Sequence, residues 1–285
     1  MLDRFKATTI SLVQLTRLDR CLIAAAYTLL GAYLTGGLES LWTISVWSSA
    51  FLVALMVACA FVVNDYKDID ADIIGKSYRP IPSGHVTPHN ARRLAVLLAI
   101  TSLAVAAFLG IVFIWFAVSC ITLSLAYSYR LKSTVLLGNG VIALLDATIP
   151  IYGGLATSRI TPALLIASLL IFFYAFAQEI LYTAEDEECD RLVGLRTTAT
   201  QLGVIRTLQL FRICASLFVI VALVPWFMNL APNRYLYTVI PCSIIPTVGI
   251  MIVMSFNITN RGVRLAAHGT RYVWFSSSIP IVFLG

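Results

Sequence analysis

The chain has 285 residues, of which 59% are hydrophobic and only 12% are charged, with a formal net charge of +6. Soluble domains carry about 25% charged residues, so this composition leaves too few charges for a water-facing surface; it also excludes disordered, collagen-like, coiled-coil and disulfide-rich classes. The apolar runs are long and lack the period-2 alternation of a membrane β-barrel, which indicates a multi-pass membrane protein built from helices.

The first 20 residues mix apolar and basic side chains, which predicts an amphipathic helix on the membrane surface. A helix needs about 20 residues to cross the hydrocarbon core, and the apolar runs predict about nine such spans. We expect an all-α fold, with residues 1–285 forming one integral-membrane domain around a central cavity. The predicted spans are 21–38, 44–63, 94–111, 112–129, 135–156, 161–182, 208–229, 236–256 and 271–285.

The basic residues are distributed very unevenly between the two sides that these spans define. Of the 20 Lys and Arg residues, only Arg159 and Arg234 fall on the side opposite the N-terminus. The positive-inside rule therefore predicts that the N-terminal side, and a cavity that opens there, face the cytoplasm. The net positive charge then reflects topology and contact with anionic membrane lipids, and it does not indicate nucleic-acid binding.

Nine of the 14 acidic residues fall in two short segments, 64–72 and 185–190, and each directly follows a predicted span on the cytoplasmic side. On a helix, the aspartates of each segment share one face, where like charges repel unless a cation lies between them. Carboxylate oxygens suit Mg²⁺, which completes its coordination with water and substrate phosphate. The predicted metal ligands are Asp65, Asp68, Asp72, Asp186 and Asp190.

Basic and polar residues close to these segments could stabilise the negative charge of a diphosphate. For any single one of them, anchoring at the membrane surface remains an alternative. The predicted diphosphate-binding residues are Asn64, Lys76, Arg79, Tyr127, Arg130, Lys132 and Arg191.

Together these motifs resemble the UbiA superfamily of intramembrane prenyltransferases. Residues 64–72 match its first motif, Asn-Asp-x-x-Asp-x-x-x-Asp, and residues 186–197 match its second. The segments 79–84 and 131–139 look like its chlorophyll-synthase and archaeal-lipid branches. Two positions depart from the family pattern: Thr183 replaces an Asp, and Arg17-Leu18-Asp19-Arg20 replaces an Arg-Pro-x-Asn.

The resemblance implies that Mg²⁺ bridges an isoprenyl diphosphate to both motifs. The prenyl group would then be transferred within the membrane to an aromatic or other lipophilic small-molecule acceptor. Asp146 and Glu179 are the candidate catalytic residues, because a carboxylate inside a span is costly unless it has a function. A buried helix–helix hydrogen bond is the alternative for Asp146.

Three other functions remain open from the sequence. Cyclisation of a prenyl diphosphate would need no acceptor, and phosphoribosyl transfer to a lipid phosphate would use a different donor. A transporter would more often place its charged sites near the membrane midplane, on broken helices.

Overall fold

The computed structural model describes residues 10–256 and 258–284. Residues 10–16 are helical, and Arg17 then breaks the helix with a left-handed φ of 49°. Leu15 is completely buried in this segment. The surface helix predicted for residues 1–20 lies partly outside the described residues, and Leu18 already belongs to the next helix.

The described part of the chain contains helices and connecting turns and no β-strand. Thr87 and Thr161 cap the helices Pro88–Leu109 and Pro162–Glu185. Each threonine accepts a hydrogen bond from a backbone N–H and is followed by proline at the first helical position. In chain order the helices are α1 (Leu18–Ser40), α2 (Ile44–Lys67), α3 (Ile69–Gly75), α4 (Pro88–Leu109), α5 (Ile111–Tyr129), α6 (Leu137–Ala156), α7 (Pro162–Glu185), α8 (Glu187–Leu192), α9 (Thr198–Leu202), α10 (Val204–Phe227), α11 (Asn233–Val239), α12 (Ile245–Phe256) and α13 (Asn260–Ile281).

Among the described residues, eight helical segments are long and apolar enough to cross a membrane. They are α1, α2, α4, α5, α6, α7, α10 and the unit Asn233–Phe256, in which a π-helical turn at Ile240–Ile244 joins α11 to α12.

The bounds predicted for the ninth span, 271–285, are wrong. The corresponding helix, α13, begins eleven residues earlier, at Asn260, and at 22 residues it is about 33 Å long. Its first half carries arginines on one face, while Val263, Ala266 and Ala267 are buried on another. A hydropathy average over the whole helix therefore hides its apolar face.

Helices α1 and α6 approach closely enough for their backbones to touch. A Cβ atom on Gly31 would collide with the carbonyl of Pro150, and one on Gly153 would collide with the carbonyl of Thr28. Small residues of this kind allow tight helix packing in a membrane. There, van der Waals contacts rather than the hydrophobic effect hold helices together. Helix α7 packs against both α6 and α10, so it lies at the centre of the bundle.

Helices α4 and α5 have mostly exposed apolar faces, as expected where helices meet lipid. Gly110, with φ of 125°, forms a tight turn between them, which agrees with the adjoining bounds of the predicted spans 94–111 and 112–129. Each of the two acidic segments continues into a short helix, α3 after α2 and α8 after α7, and these two short helices contact each other. The fold therefore brings the two acidic segments together at one end of the bundle.

Candidate active site

A cavity of about 940 Å³ lies inside the bundle. Its polar end is lined by the aspartates of both acidic segments, and its deeper part by apolar side chains such as Ile23, Phe61, Ile149 and Trp274. The cavity thus combines a charged end with an apolar groove, and all five predicted metal ligands line it: Asp65, Asp68, Asp72, Asp186 and Asp190.

The aspartates of the first segment are held by arginine. The guanidinium of Arg79 donates to both carboxylate oxygens of Asp72, at 2.7 and 2.9 Å, and to Asp65 at 3.2 Å. Arg17 donates to the same oxygen of Asp65 at 2.8 Å. Asp65 and Asp72 are only 2% and 4% exposed. Burial raises the pKa of the Asp72 carboxyl above its ordinary value, although Arg79 opposes the shift.

Lysines connect the first segment to the rest of the site. The ammonium of Lys76 donates to both oxygens of Asp186, at 2.8 and 2.9 Å, so it joins the loop after the first segment to the second segment. Lys132 donates to Asp68 at 2.5 Å. Burial raises the pKa of Asp190 to about 6, although the nearby Lys132 opposes the shift. The two segments therefore face each other across a shared set of cations.

Backbone contacts hold the turn that carries Lys132. The hydroxyl of Thr198, which follows the second segment, donates to the side-chain oxygen of Asn139 at 2.7 Å and accepts from the backbone N–H of Leu136 at 2.9 Å. The backbone N–H of Arg196 donates to the hydroxyl of Ser133 at 2.9 Å. These bonds place Lys132 opposite Asp68 and Asp190.

Asn64 and Tyr127 both line the cavity, as predicted. Tyr127 lies within electrostatic reach of Asp68, Asp186 and Asp190, which belong to both segments. An O–H at this position can donate to a phosphate oxygen.

Asp146 and Glu179 also line the cavity, and each lies within electrostatic reach of the other. Glu179 is additionally within reach of Asp186 and Lys132, whereas Asp146 is within reach of Arg20. Neither carboxylate forms a hydrogen bond with the described part of the chain, so a helix–helix hydrogen bond does not explain Asp146. Both groups are therefore available to a ligand in the cavity.

Two predicted site residues are not brought to the cavity. Arg130 follows the last residue of α5 and is exposed on the outside of the bundle. The side chain of Arg191 is 69% exposed and lies 3.6 Å from Glu187, one turn earlier on α8. Both residues are close to the motifs in sequence, but both are exposed and neither lines the cavity.

Other lining residues were missed by the sequence analysis. Arg17 was assigned to a surface helix, yet it pairs with Asp65. Arg264, His268 and Arg271 of α13 also line the cavity. Their spacing of four and three residues places them on one helical face, and this spacing was a signal that could have been recognised.

Within the described ranges, no three His, Cys, Asp or Glu side chains are arranged as a ready-made metal cluster, because the carboxylates bind Arg and Lys instead. The chemistry of the donor set nevertheless fits Mg²⁺. This ion usually takes one or two protein carboxylates and completes its shell with water and substrate phosphate, so a dense protein cage is not needed. Asp65, Asp68, Asp72, Asp186 and Asp190 would hold it.

Residues 24–268 match the model of the UbiA prenyltransferase family, and the chain belongs to this family. It is therefore an integral, multi-pass membrane prenyltransferase, in agreement with its eight described membrane-length helices and the two aspartate segments that line one cavity.

The chain is similar to several archaeal enzymes named digeranylgeranylglyceryl phosphate synthase. The identity to the enzyme of Natronomonas pharaonis is 32% over 241 residues, covering 81% of this chain and 82% of the relative. The identity to the enzyme of Hyperthermus butylicus is 31% over 267 residues, covering 88% of this chain and 85% of the relative.

Solved structures share the fold. One described as digeranylgeranylglyceryl phosphate synthase in membranes has a TM-score of 0.74 and 21% identity, covering 96% of this chain and 97% of that chain. A UbiA homologue from Archaeoglobus fulgidus bound to DMAPP and Mg²⁺ has a TM-score of 0.68 and 18% identity, covering 94% of this chain and 99% of that chain.

Proposed function

We propose that this enzyme transfers a prenyl group from an isoprenyl diphosphate to a lipid that carries a phosphate monoester, in a reaction that requires Mg²⁺. The observation that carries the proposal is the pair of aspartate segments that face each other across one cavity with Lys76, Arg79 and Lys132 between them. The fold is shared with an A. fulgidus homologue that binds prenyl diphosphates and Mg²⁺, which supports the same donor class here.

The diphosphate of the donor would lie between the two segments. Mg²⁺ held by their aspartates would neutralise the charge that develops on the leaving group. Lys76, Arg79 and Lys132 would release their carboxylates and donate to diphosphate oxygens, while Asn64 and Tyr127 would add neutral hydrogen bonds. Arg130 and Arg191 have no role in this proposal, since neither lines the cavity.

The reaction breaks the bond between the donor's terminal carbon and its diphosphate oxygen, and the electron pair leaves with the diphosphate. A hydroxyl oxygen of the acceptor forms the new bond to that carbon. The apolar walls around Phe61, Ile149 and Trp274 would keep water from the allylic cation. Glu179 would accept the hydroxyl proton, since it lies between the second segment and the deeper Asp146. Asp146 would orient the acceptor.

The acceptor class follows from the relatives. Their name describes a glycerol phosphate with two geranylgeranyl groups. A prenylated glycerol phosphate is an acceptor of that chemistry, and we propose it in place of the aromatic ring expected from the sequence. The uneven distribution of Lys and Arg supports a reaction at the cytoplasmic side.

The test is to incubate purified enzyme with labelled geranylgeranyl diphosphate, Mg²⁺ and a panel that contains a prenylated glycerol phosphate, an aromatic acceptor and no acceptor. We expect transfer to the prenylated glycerol phosphate and only slow hydrolysis without acceptor. A cyclised hydrocarbon formed without acceptor, or transfer to the aromatic ring alone, would contradict the proposal. Transfer of phosphoribose, or vectorial ion movement without prenyl transfer, would do so as well.

A further inference from the structure

Apart from Arg20, which pairs with Asp19, the cations that line the cavity fall into two groups. Arg17, Lys76, Arg79 and Lys132 each pair with an aspartate of the two acidic segments. Arg264 and Arg271 of α13 line the same cavity, and none of the described carboxylates lies within ion-pair distance of either. Glu185 is within electrostatic reach of both, but no ion pair forms. The α13 cations therefore remain available to an anion.

Arg271 shows this most clearly. Its Nε atom is buried and has no hydrogen-bond partner in the described structure. The guanidinium carbon lies 5.7 Å from the centre of the Tyr182 ring, and the Tyr182 hydroxyl is within hydrogen-bonding reach of Arg271, so the Nε atom is the donor that is left without a partner. Burying a charged donor without an acceptor is costly, and guanidinium groups are well suited to bind phosphate oxygens. A bound phosphate would satisfy this group.

The position of α13 is fixed by buried hydrogen bonds. Gln178 donates to the hydroxyl of Thr270 at 2.8 Å and accepts from the indole N–H of Trp274 at 2.5 Å. Tyr174 donates to the backbone carbonyl of Thr270 at 2.6 Å, and Tyr27 donates to that of Trp274 at 2.8 Å. Because these bonds hold the helix on both sides of Arg271, its basic face is preorganised toward the cavity.

The basic residues of α13 that line the cavity, Arg264, His268 and Arg271, lie near the candidate catalytic carboxylates. Tyr182, which neighbours Arg271, is also within electrostatic reach of Arg20 and Glu179. Arg20 is in turn within reach of Asp146. An anion bound to α13 would therefore lie next to the part of the cavity where the acceptor would lose its proton. Lys76, Arg79 and Lys132 would remain available to the diphosphate.

We propose that Arg264, His268 and Arg271 form a second anion site, distinct from the diphosphate site, that binds the phosphate monoester of the acceptor and directs its hydroxyl toward Glu179. This inference rests on the proposed transfer to a lipid phosphate and assigns the residues that recognise that phosphate. It predicts that the enzyme selects phosphorylated acceptors through α13 and recognises the donor through the aspartate segments.

The test compares two acceptors, a prenylated glycerol phosphate and the same prenylated glycerol without phosphate, in wild-type enzyme and in Arg264→Gln and Arg271→Gln. Each substitution should raise KM for the phosphorylated acceptor about tenfold to hundredfold, the value of one lost charge-assisted hydrogen bond. KM for geranylgeranyl diphosphate and turnover with the unphosphorylated acceptor should stay unchanged. Arg271→Lys should recover part of the loss.

Arg261→Gln is the matched control. Arg261 is exposed on the same helix but does not line the cavity, so its removal changes the charge of α13 without touching the proposed site. This variant should behave like wild type with both acceptors. Equal losses in Arg261→Gln and Arg271→Gln, or a raised KM for the donor, would overturn the proposal.

Ligand-induced stabilisation gives a second readout that does not depend on turnover. In the absence of donor and Mg²⁺, the phosphorylated acceptor should raise the melting temperature of wild type and Arg261→Gln but not of Arg264→Gln. Equal stabilisation by phosphatidylglycerol would mean that α13 binds bilayer headgroups. Equal stabilisation by inorganic phosphate alone would mean that the site does not select the acceptor. Either result overturns the proposal.

The two proposals can fail separately. If wild type transfers the prenyl group to both acceptors equally and the α13 variants change neither reaction, the second site is refuted while the transferase function stands. If no prenyl transfer occurs at all, the proposed function fails, and the melting experiment still decides whether α13 binds the lipid phosphate.

Discussion

Arg79 provides the sharpest test of how the aspartate segments are stabilised. Arg79→Gln removes two hydrogen bonds to Asp72 and one to Asp65, whose exposures are only 4% and 2%. Asp65 keeps its contact with Arg17 at 2.8 Å, so Asp72 alone is left unpaired. Breaking one buried pair costs about 3 kcal/mol. At roughly 2 °C per kcal/mol for a chain of this size, the melting temperature should fall by about 6 °C.

Mg²⁺ should reverse this effect selectively. In the wild type a metal ion must displace Arg79 from Asp72, whereas in Arg79→Gln the carboxylate is unpaired and needs a cation. Mg²⁺ should therefore raise the melting temperature of the variant more than that of the wild type. Without Arg79, turnover should fall about 10²-fold, because one group that stabilises the leaving diphosphate is missing.

The assay is thermal unfolding of the detergent-solubilised enzyme with and without Mg²⁺, followed by prenyl transfer kinetics. Arg92→Gln serves as the control, because Arg92 is exposed on α4 and has the same charge. If Arg79→Gln melts like the wild type and responds equally to Mg²⁺, the described pairing does not stabilise the site and the reasoning is refuted.

Three further predictions concern the metal, the topology and the catalytic carboxylates. Asp68→Ala and Asp190→Ala should each lower turnover at least about 10²-fold, since each removes stabilisation of the leaving group. Full activity in EDTA would contradict the metal assignment. In a background without native cysteines, Met228→Cys should be labelled by an impermeant reagent from outside the cell and His85→Cys only from the cytoplasm; external labelling of residue 85 would reverse the topology. Asp146→Asn should leave donor affinity and melting temperature unchanged but lower turnover or alter the product, and normal turnover would remove Asp146 from the active site.

The sequence alone determined the class of fold and the chemistry of the polar end of the cavity. Its low charge and long apolar runs required membrane helices, because backbone polar groups in lipid must be satisfied within the helix itself. The spacing of Asp65, Asp68 and Asp72 predicted one helical face; in the structure the helix breaks at Asp68, between α2 and α3, yet all three side chains line the cavity. Both acidic segments followed predicted spans that end on the same side. Their meeting across one cavity could therefore be expected, and all five predicted metal ligands line it.

Only the tertiary structure decided which cations reach that cavity. Arg130 and Arg191 are close to the motifs in sequence, yet their side chains point outward, while Arg17 enters from a segment assigned to the surface. Helix α13 shows the same limit, because basic residues such as Arg264 lower the hydropathy of its first half, so the sequence predicted a span only from residue 271 although the helix begins at Asn260. Spacing along the chain fixes which residues share a helical face, but the packing of that helix against its neighbours decides whether the face meets water, lipid or a binding cavity.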